Sequence, residues 1–141
     1  MTPSQFRQTA RQIMTQEPRT AHAPQEVAAS AERIYTRLLA CISAVLGNAG
    51  SVGLFRRSLR LTETTFPFFS DARNADLDIL LSEVSRCLQA QPAEVAHEAS
   101  VELLGIHLEL LATFIGPRVT KQLLQEAWPN LRTSDPEESQ A

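Results

Sequence analysis

The stretch from Pro92 to Trp128, PAEVAHEASVELLGIHLELLATFIGPRVTKQLLQEAW, constrains the chain more than any other. Its apolar residues recur at spacings of three and four, which predicts a long helix. At 100° per residue, Glu98, Glu102, Gly105, Glu109 and Ala112 share one narrow strip. That strip reads as the solvent face. Leu103, Leu104, Leu110, Leu111 and Phe114 lie opposite, with Ile106, Leu108 and Ile115 on the flanks. So wide an apolar arc needs cover on most sides, from the rest of the chain or from a second copy. Gly116-Pro117 ends the helix, because Gly tolerates the left-handed backbone of a helix C-terminus and Pro suits the first turn of the next helix. Val119, Leu123, Ala127 and Trp128, with Leu124 beside them, give that next helix its stripe, and Pro129 stops it. A corner this tight predicts a helical hairpin over 93–128.

The rest of the chain reads as cover for this hairpin. Over 25–47, Val27, Ala31, Ile34, Leu38, Cys41 and Val45 repeat at helical spacing, and Gly47, Asn48 and Gly50 break the pattern. A further amphipathic helix is predicted over 51–64, with Val52, Phe55, Leu59 and Thr62 inward. Phe66-Pro67-Phe68-Phe69 reads as an aromatic plug over one end of the core. Over 75–90, Leu77, Leu80, Leu81, Val84, Cys87 and Leu88 form a fourth stripe. The fold class is therefore all-α, a bundle of about five main helices. Residues 1–24 read as a loosely docked arm, a weak helix followed by a linker holding Pro18 and Pro24, and 25–132 as the helical domain. Residues 133–141, with Asp135, Glu137 and Glu138, read as a disordered acidic tail.

Composition narrows the function. A chain of 141 residues with 43% hydrophobic content makes one domain with a substantial core, and only five glycines favour long helices. A net charge of −3 argues against general nucleic-acid binding. No apolar run approaches the length of a membrane-crossing helix. Cys41 and Cys87 lie too far apart in sequence for a metal knuckle, and the default setting is reducing cytoplasm. The first sixteen residues are acid-poor, carry Arg7 and Arg11 and are mildly amphipathic, as transit peptides are. A short pattern of this kind reads more simply as an arm.

Four groups of residues are candidates for chemistry. His107 stands among leucines, where an imidazole loses water and needs a hydrogen-bond partner. It suits an axial haem ligand or a pH-sensitive interface group; the plainer reading is a core or dimer-seam histidine. Glu94 and His97 have the Glu-x-x-His spacing of helical di-iron sites, but such sites need a second copy that this chain lacks. Arg56, Arg57 and Arg60, near Ser51 and Ser58, suit phosphate or an acidic partner; the plainer reading is a solvated helix face. Cys41 and Cys87 project from apolar stripes, where thiols act as small hydrophobes. No nucleophile elbow, phosphate loop or dinucleotide fingerprint is present.

Leu110 to Trp128, turning at Gly116, resembles the last helical corner of bacterial globins, and Phe66-Pro67-Phe68-Phe69 is similar to the aromatic corner that clamps haem. The resemblance covers those two fragments and carries over no binding residue. It implies a haem sensor only as a minor alternative; the competing reading of the residues themselves is a ligand- or haem-binding sensor with a pocket around His107, Trp128, Phe66 and Phe69. The leading expectation is different: a non-enzymatic regulatory or interaction module, without cofactor, that forms a homodimer through Leu104, Leu108, Leu111 and Ile115 of the long helix.

Overall fold

The structure, a computed structural model, describes residues 3–16, 23–73, 75–76 and 79–131. In order it places α1 (Pro3–Gln16), α2 (Pro24–Thr62), a 3-10 turn (Pro67–Phe69), α3 (Ser70–Arg73), α4 (Leu80–Gln89), α5 (Ala93–Ile115) and α6 (Pro117–Ala127). The described residues contain no strand, and the fold is an all-α bundle.

The two helices expected over 25–47 and 51–64 both belong to α2, which is not straight. Gly47 has φ 78° and ψ 165°, a backbone region that only glycine occupies without strain. A straight helix would hold Leu39 and Ser51 about 18 Å apart. Instead the Ser51 hydroxyl donates to the Leu39 carbonyl at 3.3 Å, and the rings of Tyr35 and Phe55 meet with centroids 5.4 Å apart. The chain therefore folds back at Gly47 into a first limb (24–46) and a second limb (48–62). Gly116, at φ 91° and ψ 153°, uses the same glycine-only region to join α5 to α6, with Pro117 opening α6. The sequence pointed to both corners. What it missed is the folding back at the first.

Tyr35 fixes the first limb to α5. Its fully buried hydroxyl donates to the Ser100 carbonyl at 3.0 Å, and burial pushes its titration far above the ordinary range. The Ser100 hydroxyl itself donates back to the Ala96 carbonyl at 2.8 Å. Tyr35→Phe is expected to cost about 1 kcal/mol, since it removes one buried donor and keeps the ring. Urea unfolding of the two proteins measures this, and an unchanged midpoint would show that the bond contributes nothing. Arg37, further along the first limb, lies 5.6 Å over the Trp128 ring and donates to the Ala127 carbonyl at 3.3 Å. This contact ties the far end of α6 to the first limb, so α6 runs back from its corner and the two glycine corners stand at the same end of the molecule.

Three expectations need correction. The N-terminal arm is not loosely docked: Phe6, Ala10, Ile13 and Met14 of α1 are each at most 3% exposed. Nor is the acidic strip of α5 a solvent face. Gly105 is buried against the α1 backbone, where an added Cβ would meet the Arg7 Cα at 3.4 Å, and Ala112 is buried as well. Along the margin of that contact Arg7 pairs with Glu102 and Arg11 with Glu98, an antiparallel register. Finally, the leucines of α5 do not await a second molecule. Leu103, Leu104, Leu108 and Leu111 are fully buried by α1 and α2 of the same chain. Two smaller shifts follow. Helix α4 begins at Leu80 rather than Ala75, with Leu77 outside the described residues. The buried stripe of α6 runs through Thr120, Leu123 and Leu124, leaving Val119 37% exposed. The linker over 17–22 and the tail over 133–141 also lie outside the described residues.

Candidate functional site: an apolar face beside the two glycine corners

Where α2 turns back at Gly47, its second limb passes the end of α5 and leaves a groove of about 260 Å³ lined by Leu46, Gly50, Gly53, Leu54, Arg57 and Phe114. Gly50 and Gly53 lie one turn apart on the second limb and supply no side chain to fill the space. Phe114 stands at the rim with 66% of its surface in solvent, an unusual position for the largest apolar side chain of its helix turn. Val45, next to Leu46, and Leu61, one turn beyond Arg57 on the second limb, are 49% and 41% exposed. Ile115, beside Phe114, is half-buried.

The sequence that builds this face has an unusual charge pattern. No charged residue lies between Arg37 and Arg56. Against the expectation that no apolar run approaches the length of a membrane-crossing helix, α2 is apolar enough to be one by length and composition alone, as core helices also can be. The turn at Gly47 rules out a straight apolar rod along the whole of α2. Between Arg37 and Arg56 the exposed positions are mainly Ala, Gly and Asn, and Val45 is the one large apolar side chain left exposed there.

Electrostatics on the face are one-sided. Residues 38–61 and 110–121 contain Arg56, Arg57, Arg60, Arg118 and Lys121 and no Asp or Glu. That leaves eight of the thirteen Lys and Arg for the rest of the chain, against all sixteen Asp and Glu. Arg57 lines the groove, and Arg60 and Arg118 are exposed. The expected phosphate cluster does not assemble as one site. Arg56 is half-buried and donates to the Ala75 carbonyl at 2.7 Å. Ser51 and Ser58 are buried and spend their hydroxyls on the carbonyls of Leu39 and Leu54.

The ring contacts sort the four residues expected around a ligand pocket into separate clusters. His107 meets Phe55 at 5.4 Å between centroids. Trp128 lies under Arg37. Phe66 packs edge-on to Phe68 at 5.9 Å, and Phe68 meets the fully buried Phe69 at 4.7 Å. None of the four lines the groove. His107 is completely buried, so it sits in the chain's own core and not at a subunit seam. Neither ring nitrogen has a hydrogen-bond partner among the described residues. Burial holds its titration down to about 4. Of the residues expected at an interface, Leu104, Leu108 and Leu111 are fully buried, and Ile115 alone retains surface. Glu94 is exposed and His97 half-buried on α5. Among the described residues no group of three or more His, Cys, Asp and Glu is placed to hold a metal. Both cysteines are free thiols, and burial pushes the Cys87 thiol up.

The sequence contained a signal for this face: the uncharged run between Arg37 and Arg56 and the glycines at 50 and 53 within it. Read as two separate amphipathic helices, that run placed Val45 inward and Phe114 with the leucines. No family model matches the chain, and neither a curated protein nor a solved structure matches it.

Proposed function

We propose that this chain is a non-enzymatic interaction module whose working surface is the apolar face formed by Val45, Leu46, Gly50, Gly53, Leu61 and Phe114. One observation carries this reading: Phe114, the largest apolar side chain left exposed among the described residues, stands 66% in solvent at the rim of a groove lined by Leu46, Gly50, Gly53, Leu54 and Arg57. Exposed apolar surface lowers the free energy of any contact that removes it from water, by roughly 25 cal/mol per Å². The remaining structure supports a scaffold role. The long helix is enclosed on both sides, Tyr35 and Arg37 lock the first limb to α5 and α6, and the face stands on those rigid elements. The leucines of the long helix, through which self-association was first expected, take no part in this face.

Site-specific photo-crosslinking in the cell tests the reading. A photoreactive phenylalanine analogue at position 45 or 114 is expected to capture protein or lipid. The same analogue at Gln125, exposed on α6, serves as the control. Equal labelling from all three positions would remove the face from consideration.

A further inference from the structure

The reading of the face as a docking surface leaves its occupant open. Resting on that reading, we propose that the occupant is an anionic lipid surface, against which the chain lies peripherally with Val45, Leu61 and Phe114 at the acyl boundary and Arg57, Arg60 and Arg118 among the headgroups. Charge complementarity selects this occupant. Arg57 lines the groove and Arg60 and Arg118 stand exposed on the same two segments, in a chain of net charge −3, while Arg56 turns to the Ala75 carbonyl instead. Two acids adjoin these segments along the helices. Glu63, two residues after Leu61, is half-buried with one carboxylate oxygen out of solvent. Glu109 lies more than one turn before Phe114 and about 140° around α5 from it.

A second copy of the chain fits less well, because two such faces would oppose like charges across a shared apolar patch. Interfacial helices share this design: an apolar face flanked by arginines, shallow burial below the headgroups, and attraction to negative lipids. The groove between Phe114 and Leu54 supplies apolar space of the size that part of an acyl chain or a shallow headgroup contact would fill, with Arg57 at its edge.

Sedimentation of the full chain with vesicles tests the proposal, using phosphatidylcholine alone and phosphatidylcholine mixed with phosphatidylserine. Binding is expected with the mixed vesicles, weakening as salt is raised. Neutralising the rim in an Arg57→Gln, Arg60→Gln, Arg118→Gln variant is expected to weaken it about a hundredfold, near fivefold for each charge. Phe114→Ser with Val45→Ser is expected to weaken it at all salt concentrations, with helix content unchanged by circular dichroism because both side chains are exposed. A Phe114→Trp variant is expected to shift its emission to the blue when mixed vesicles are added. Failure of the folded wild-type chain to bind either vesicle overturns the lipid surface as occupant. If that same chain then associates with itself on concentration, and Phe114→Ser abolishes the association, the docking face stands with a second copy upon it. If it neither binds vesicles nor associates, and the photoreactive positions capture nothing, both readings fall.

Discussion

His107→Leu is expected to stabilise the protein by about 2 kcal/mol at neutral pH, and by more as the solution is made acid. At neutral pH the gain comes from removing a buried polar ring. Both imidazole nitrogens lack a partner among the described residues, and an unsatisfied buried donor or acceptor costs roughly 1–3 kcal/mol. Leucine fits the apolar surroundings set by Phe55 and the neighbouring leucines of α5. The additional acid gain follows from linkage. Burial holds the folded-state titration at about 4, against an ordinary value of 6.5, with no charged neighbour contributing. The unfolded chain therefore binds its proton first as pH falls. Stability is lost progressively from pH 6.5 down to about 4 and levels off below. A difference of that size corresponds to about 3 kcal/mol. Urea unfolding at neutral pH and near pH 4 measures both parts. The variant should be the more stable protein at each pH and should lose this share of the acid slope. A variant less stable than wild type at neutral pH would show that the imidazole has a partner or a structural role that its surroundings do not reveal.

His107 also marks the limit of what the sequence could say. Helical spacing put it among leucines, and that placement holds. Spacing alone could not say whether those leucines faced a second molecule or the chain itself, because a covered helix looks the same in sequence whichever partner covers it. The answer depended on the turn at Gly47. Read as the end of a helix, Gly47 leaves α5 short of neighbours; read as a reversal, it brings Phe55 back beside Tyr35 and closes the core over His107. The Gly116-Pro117 corner was legible because Pro117 makes it unambiguous. Gly47 has no proline after it to fix the direction of the chain, and the break it makes with Asn48 and Gly50 says only that one helix ends and another begins. The candidate site was hidden for a related reason. Phe114 falls on the same side of α5 as Leu103 and Leu111, and one helix gives no sign that the limb passing it carries Gly50 and Gly53 where a side chain would cover it. The uncharged run from Leu38 to Phe55 was visible throughout, but an apolar run becomes a surface only when a fold is seen to leave it uncovered.

The largest difference between sequence and structure concerns α1, and Ile13→Asp is the substitution that measures it. Ile13 is completely buried, together with Ala10 and Met14, with Phe6 nearly so. A carboxylate there is expected to cost about 4 kcal/mol, because it must be desolvated without a partner or undock the helix. The total stability of a domain of this size is only about 5–15 kcal/mol. The cheaper response is local, because α1 packs chiefly on α5. Ile13→Asp is therefore expected to release α1 while α2, α4, α5 and α6 remain helical. Amide hydrogen exchange should then rise in α1, and in the α5 turn around Gly105 that α1 covers. Arg11→Gln supplies the contrast. The ion pair it breaks, with Glu98 at 2.8 Å, lies half in solvent, and such pairs contribute at most about 1 kcal/mol. Slow exchange in α1 should survive that change. If Ile13→Asp leaves exchange as slow as in wild type, the four apolar residues contribute little to docking. If α1 exchanges fast in the wild-type chain itself, the sequence reading of a loose arm was right and α5 carries an uncovered face along Gly105 and Ala112. Self-association would then return to the long helix on the side opposite the leucines first proposed for it.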